Sequence, residues 1–371
     1  MTRRSGPHLS LVAAARNDNH GGDLLRRMQI FVNGILEQCR RHDVSAELIV
    51  VEWNPPEDKP PLAEALRWPG EPGRCEVRII TVAPRIHARY PLGDRIPLFQ
   101  MIAKNAGIRR ARGEFILATN IDLLFSDQVM EAMKPEHLRP GFLYLSERWD
   151  VDRDVPLEAS LDEQLAYCRD HVVRVNRRDG WYFPRENRRR AFFPYPWDRL
   201  YTFLRRMQTA TAIHHPHRAR SFRELWGWVL GPKEFHANAC GDFTLMARRH
   251  WAELHAYPEA EIYSMNLDSV LCHNALIAGL KELAYGSTAR IYHIEHASGF
   301  TPEGESLLNA RLASSGIPQL TWSDAEALFC RARGTKTYTL LAPDTWGLAA
   351  DDLPEWSPWG SRADQKAISR L

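Results

Sequence analysis

Asn120 and Asp122, one residue apart, follow directly on the apolar stretch Glu114-Phe115-Ile116-Leu117-Ala118-Thr119. A carboxylate at the exit of a buried strand is costly unless something compensates it. Asp122 therefore suits a magnesium or manganese ion, since hard cations take oxygen ligands and complete their shell with phosphate and water. Asn120 offers a carbonyl oxygen to such an ion or a hydrogen bond to a ribose. The same two residues also suit a plain turn, with Ser126 and Asp127 capping the next helix. A second cluster is Ile291-Tyr292-His293-Ile294-Glu295-His296. Strand alternation predicts His293 and Glu295 on one face and Ile294 and His296 on the other. Imidazole is an acceptable manganese ligand, although a histidine at a strand end is often structural. His214-His215-Pro216-His217 has no carboxylate company and reads as a surface loop.

These residues need a frame. Leu9 to Ala15 is an apolar run without a helical stripe, a buried strand that ends in the polar loop Arg16-Asn17-Asp18-Asn19-His20-Gly21-Gly22. Asp23 reads as the cap of a helix whose apolar face is Leu24, Met28, Phe31, Val32, Ile35 and Cys39. Glu47 to Glu52 and Val77 to Val82 are further buried strands, each stopped by a proline-containing segment. A helix from about Ile96 to Arg110 precedes Gly113 and a fourth strand over Glu114 to Thr119. Apolar strands alternating with helices predict an α/β fold with an open, mostly parallel sheet. Ligands of such sheets collect beyond the carboxyl ends of the strands, which draws attention to Arg16 to Asp18, Glu52 to Asn54 and Asn120 to Asp122.

Composition narrows the class further. Lys plus Arg (48) nearly balance Asp plus Glu (46), so net charge alone argues neither for nor against a polyanionic partner. The six cysteines form no CxxC pair, so no zinc knuckle or redox motif is indicated, and Cys39, Cys240 and Cys272 read as buried thiols. There is no apolar signal run and no apolar stretch of about 20 residues, so a cytoplasmic protein, peripheral to the inner face of a membrane at most, is the expectation. Trp181 to Trp228 is dense in arginine, proline and aromatics. It suits an anionic or lipid-linked glycan, a single nucleic-acid strand, or simply an insertion with a small core and solvated arginines. Regular patterning returns at Gly241, with a helix over Leu267 to Ala278 and a strand over Ala289 to Ile294. The tail beyond about Asp344 reads as a loosely packed appendage.

Lys104-Asn105-Ala106-Gly107-Ile108, then Ala111-Arg112-Gly113-Glu114-Phe115-Ile116-Leu117, then Asn120-Ile121-Asp122 resembles the middle of GT-A-type glycosyltransferases, especially glycosyltransferase family 2. There a K-N-x-G pattern and a G-E-(F/Y) strand lead into an acidic D-x-D. The likeness covers residues 9 to 130 well and 236 to 300 loosely. It implies a GT-A (Rossmann-like) sheet flanked by helices, with an Arg/aromatic-rich insertion and a C-terminal extension. The implied division is 1–150 for nucleotide-sugar binding, 151–235 for the insertion, 236–300 for the acceptor half and 301–371 for a helical extension and tail.

By the same resemblance Ala14, Ala15, Arg16 and Asn17 line the donor base and ribose, and Glu52 contacts the uracil or ribose. Asn105, Asn120, Ile121 and Asp122 belong to the donor side as well. Mn2+ or Mg2+ would sit on Asp122, assisted by Asn120 and by a late histidine, His293 first and His296 next. Gly241-Asp242-Phe243 resembles the acceptor-side turn, and Asp268 falls where the family carries a general base. Without the resemblance, Asp242 is a turn cap and Asp268 a first-turn aspartate satisfying the helix dipole. An inverting transfer needs one carboxylate to deprotonate the acceptor hydroxyl. The implied partners are a nucleotide-sugar donor and a glycan, lipid-linked or small-molecule acceptor, with no nucleic acid expected.

Two departures stand out. Asn120 replaces the first aspartate of D-x-D, and Trp53-Asn54-Pro55-Pro56 replaces the acidic loop after the second strand. Weaker metal binding follows as an expectation, and the base is left open. Two alternatives stay in play: a sugar nucleotidyltransferase, disfavoured because no G-x-G run follows the first strand, and a non-catalytic nucleotide- or glycan-binding protein on the same fold.

Overall fold

The computed structural model describes residues 6–178, 180–192, 238–296, 302–338 and 340–360. Its strands are β1 (Leu9–Ala15), β2 (Ala46–Trp53), β3 (Cys75–Val82), β4 (Phe115–Thr119), β5 (Leu123–Phe125), β6 (Phe142–Val151), β7 (Val172–Arg177), β8 (Gly180–Tyr182), β9 (Phe243–Ala247), β10 (Lys281–Ile294) and β11 (Glu355–Trp356). They form one sheet in the order β11-β3-β2-β1-β4-β9-β6-β10-β5, with β7 paired to β6 and β8 to β7. β1, β2, β3 and β4 are mutually parallel, β9 runs against β4 and β6, and β10 is parallel to β6. The expected α/β architecture, an open and mostly parallel sheet flanked by helices, is present.

Both faces of the central strands are covered, which is why these strands are mostly apolar, with Ser10, Glu47, Glu52 and Arg78 among the exceptions. Leu11, Ala13, Leu48 and Val50 pack with Met28, Phe31 and Ile35 of the helix Leu24–Arg41. Val12, Ala14, Ile49 and Val51 pack on the other face, against Ile102, Ala103 and Ala106 of the helix Gln100–Arg110. That helix lies close because Gly107 presents no side chain; a Cβ there would come within 2.6 Å of Val12 Cγ1. Leu24, Met28, Phe31, Val32, Ile35 and Cys39 are all buried, as their spacing predicts. Asp23 does occupy the N-cap position, but in a left-handed conformation with no side-chain cap; the Asn19 side chain accepts from the Leu24 amide instead. Ser126 caps the helix Asp127–Ala132 as expected.

The tail corrects its expectation. Trp346, Leu348 and Leu353 are buried in the main core, and β11 adds an antiparallel edge to β3. Arg78 reaches across the edge to both oxygens of Glu355 while holding the fully buried Glu47 at 2.7 Å. Arg110 donates to the carbonyls of Gly347, Leu348 and Asp351. A strand edge that would otherwise be exposed is therefore closed by this segment.

Residues 151–182, expected in the insertion, contribute β7 to the main sheet, and the helix Leu161–Asp170 opens with a capping box of Ser160 and Glu163. Most of the arginine and aromatic segment, with His214 to His217, lies outside the described residues. The six cysteines are free thiols, five buried and Cys330 exposed. Among the described residues no helix is long and apolar enough to cross a membrane.

Candidate functional site

Strand register explains why Asp122 and the late histidines meet. β4 ends at Thr119, and the chain turns through Asn120-Ile121-Asp122 into β5. β5 pairs antiparallel with β10, setting Leu123 opposite His293, and the Ile294 amide donates to the Asp122 carbonyl at 2.9 Å. The Nε2 atoms of His293 and His296 then lie 3.7 and 3.3 Å from Asp122 Oδ2. One ligand atom from each of the three residues falls within 4.8 Å of the others.

The alternation expected beyond His293 holds for Glu295 but not for His296. β10 ends at Ile294, although the Glu295 amide still donates to the Val151 carbonyl of β6 at 2.9 Å. His296 joins His293 at Asp122, while Glu295 falls with His293 and Asp150, one ligand atom from each within 4.8 Å of the others, and pairs with Arg174 at 2.9 Å.

Two observations test whether a divalent cation fits. Asp122 Oδ1 is buried and has no hydrogen-bond partner, so an oxygen ligand remains to be satisfied. His293 Nδ1 lies 2.9 Å from Asp150 Oδ1, the carboxylate–imidazole arrangement that orients metal-binding histidines. An oxygen and two imidazoles suit manganese, with open positions for phosphate and water. Burial pushes the Asp122 carboxyl up, but His293, His296 and Arg27 outweigh it and hold it well below the usual carboxylate range.

Asn120 takes a different place from the one expected of it. Its amide hydrogen-bonds Asp242 Oδ1, and its carbonyl oxygen accepts from Gln100 at 3.0 Å. An aspartate here would set two carboxylates against each other, whereas the carboxamide donates. Asn120 thus links the turn to Asp242. The other Asp242 oxygen lies 2.6 Å from Arg148 Nη1, and Arg148 Nε lies 2.9 Å from Asp150. Asn120, Asp242, Arg148, Asp150 and His293 form one chain of polar contacts back to Asp122.

Arg148 can make both contacts because β6 changes neighbours beneath it. Tyr144 and Leu145 pair with β9, whereas Arg148 to Val151 pair with β7. Arg27, Arg148, Asp150 and Arg174 were not singled out from the sequence. The alternation of charge in Glu147-Arg148-Trp149-Asp150 within an otherwise apolar strand was the available signal.

Asp268, in the first turn of the helix Leu267–Ile277, packs against Gly241 so closely that a Cβ on that glycine would lie 2.6 Å from Oδ2. Its Oδ1 accepts from the Ser269 amide at 2.8 Å. Burial pushes the Asp268 carboxyl up, moderated by the Ser269 amide, Cys240 and Lys104. Lys104 is fully buried and donates to the Gly241 carbonyl at 2.8 Å. Burial brings its ammonium down to about 8, with Asp242, Asp268 and Asp122 opposing the shift.

On the expected donor side, Ala14 and Ala15 end β1, and Ile121 is buried in the turn. Arg16 Nε donates to the Asn54 carbonyl at 2.7 Å, and Asn17 Nδ2 to the Pro60 carbonyl at 2.9 Å. Glu52 accepts from the Leu62 amide at 2.8 Å, and burial raises its carboxyl to about 7. These contacts fix the loop after β2 against the loop after β1. Asn105 does not join them. It is fully buried, with both amide hydrogens given to the Tyr257 carbonyl and Glu259 and its oxygen accepting from the Tyr257 amide. Its role is to tie the helix Gln100–Arg110 to the segment after β9.

A cavity of about 1820 Å³ lies at the opposite ends of the strands and is lined by His8, Arg109, Arg112, Arg248 and Trp251. It contains none of the clustered residues and sits where sheets of this kind do not bind their ligands.

No protein-family model and no curated protein matches the sequence. Among solved structures, the chain is similar to a mycobacterial protein at 13% identity and TM-score 0.35, covering 85% of this chain and 77% of that one. It is similar to the mannosyltransferase PcManGT from Pyrobaculum calidifontis, in complex with GDP-Man and Mn2+, at 13% identity and TM-score 0.37, covering 98% and 79%. A third is the M. tuberculosis glucosyl-3-phosphoglycerate synthase, at 11% identity and TM-score 0.34, covering 85% and 82%.

Proposed function

We propose that this chain is a glycosyltransferase that moves a sugar from a nucleotide-diphospho-sugar, UDP- or GDP-linked, to a glycan, lipid-linked or small-molecule acceptor. The observation that carries the reading is the convergence of Asp122, His293 and His296, with an unsatisfied Asp122 oxygen, at the carboxyl ends of the strands. Mn2+ or Mg2+ held by these three residues would supply stabilisation for charge developing on a departing diphosphate. Ala14, Ala15, Arg16, Asn17 and Glu52 border the base and ribose.

Asp268 acts as the general base, taking the proton of the acceptor hydroxyl as that oxygen attacks the sugar with inversion. A carboxyl raised by burial suits this task, because a base works best when its pKa approaches the operating pH. Asp242, fixed by Asn120 and Arg148, shapes the acceptor side and is too fully engaged to be the base itself.

Calorimetry with UDP and GDP, with and without Mn2+, followed by turnover assays on Asp122→Ala and Asp268→Ala, tests the proposal. Metal-enhanced binding of a nucleoside diphosphate and loss of transfer in both variants are expected. Full turnover in the two correctly folded variants would sink it.

A further inference from the structure

Asp122 already has a cation. Arg27, on the first turn of the helix Leu24–Arg41, is 2% exposed, and its Nη1 lies 2.8 Å from Asp122 Oδ2. Its Nη2 donates to the carbonyls of His20 and Gly22, and its Nε also approaches Gly22. These contacts lock the guanidinium between the loop after β1 and the turn after β4. Arginine stays charged in such a position, where a lysine could shed its proton. The loop is held close on its other side as well: Gly21 has φ +72°, and a Cβ there would lie 2.5 Å from His296 Nδ1.

The charge count at this point departs from that of an acidic pair. Asn120 contributes none, so Asp122 is the single carboxylate among the three candidate ligands, and Arg27 balances it. With neutral imidazoles, which metal binding requires, the ligand set together with Arg27 carries no net charge before a divalent ion arrives. Asp122 is also divided, with Oδ2 facing Arg27 and Oδ1 left without a hydrogen-bond partner.

Resting on the glycosyltransferase reading above, we infer that Arg27 is a built-in second cation of the donor site, sharing with the divalent ion the neutralisation of the diphosphate and lowering that ion's affinity. A nucleoside diphosphate is then retained when the ion is removed, and removing the guanidinium charge makes the ion bind more tightly. The effect works through the field of a buried charge, which water screens poorly.

The test titrates Mn2+ into wild-type, Arg27→Gln and Arg27→Lys proteins, followed by the resonance of the free ion, and measures UDP and GDP binding by calorimetry in Mn2+ and in EDTA. In the wild type, the better-bound nucleotide should lose no more than about tenfold in EDTA. Arg27→Gln should bind Mn2+ about tenfold more tightly and its nucleotide about tenfold less tightly in EDTA, with Arg27→Lys near the wild type. A loss exceeding about tenfold in wild-type EDTA binding overturns the inference, and it needs no variant to fold. Unchanged or weaker Mn2+ binding by folded Arg27→Gln overturns it too. Asp122→Asn separates the two claims. If it leaves Mn2+ binding intact, the cation site itself is wrong; if it abolishes binding while Arg27→Gln changes nothing, only the role of Arg27 falls.

Discussion

His293 and Asp150 face each other across the parallel register of β10 and β6, with Nδ1 of the imidazole 2.9 Å from the carboxylate Oδ1. A carboxylate accepts only, so Nδ1 carries the hydrogen, which leaves Nε2, on the side of Asp122, as the atom that would bind a cation once free of its own proton. Asp150 is itself fixed by Arg148, Arg174 and Asn176. Burial pushes its carboxyl up, but Arg148, His293 and Arg174 outweigh that and keep it ionised.

Asp150→Asn should therefore weaken the cation site although it touches no ion. The expected loss is about 10–100-fold in Mn2+ affinity, the usual consequence of removing the partner that orients a ligating histidine. Arg148 and Arg174 also lose a buried counter-charge, so stability should fall by about 3–5 kcal/mol. A Mn2+ titration paired with urea unfolding measures both. Wild-type Mn2+ affinity in the folded variant would show that His293 needs no such orientation.

Gly241→Ala tests the proposed acceptor side. The added Cβ would press on Asp268 Oδ2 at 2.6 Å, and the carboxylate or the backbone must shift to relieve it. If Asp268 is the base, as proposed, a displacement of this size should lower kcat by about a hundredfold. Forcing one methyl into the packed segment should cost about 1–3 kcal/mol of stability. Steady-state kinetics would separate this from a binding defect: KM for the nucleotide-sugar should stay near its wild-type value.

Burial, moderated in part by Lys104, sets the pH at which Asp268 could serve as the proposed base. The Asp268 carboxyl lies above its ordinary 3.8, and it accepts a proton only when ionised, so transfer should fail on acidification at a higher pH than for a solvated aspartate. Lys104 pulls the other way, favouring the ionised carboxylate. Lys104→Met removes that charge, so the acidic limb of kcat/KM should move to higher pH. An unmoved limb would mean that another group governs it.

Much of this arrangement was legible in the residues. The apolar runs at Leu9, Glu47, Val77 and Glu114 became β1 to β4 within two residues at either end, because strands covered on both faces must be mostly apolar. Asp122, His293 and His296, singled out in the sequence, do come together, although alternation put His296 on the face away from His293 and does not carry two residues past the end of β10. Arg27 escaped notice because a helix with buried Met28 and Phe31 gives no hint that the neighbouring arginine is buried as well; only the position of Asp122 explains it. Asn105 misled for the opposite reason. Its place in a familiar pattern said nothing of Tyr257 and Glu259, which are distant in sequence and claim its amide. The tail was misread from composition, since prolines and polar residues conceal Trp346, Leu348 and Leu353, each of which fills core space.

Glu52 offers a test in the folding equilibrium itself. It is 1% exposed at the end of β2, and burial raises its carboxyl from 4.5 to about 7, with the Leu62 amide opposing and Glu64 reinforcing the shift. The folded chain thus binds this proton more tightly than the unfolded chain does. The resulting stabilisation is complete below about pH 4.5 and disappears as pH rises through about 7. Its full size is about 3 kcal/mol. A glutamine at this position would keep an oxygen for the Leu62 amide and carry no proton to release. Glu52→Gln should therefore show a flatter stability profile between those pH values and be the more stable protein at about pH 8. Urea unfolding at half-unit pH steps measures the difference, and parallel profiles for the two proteins would rule out a buried, proton-binding Glu52.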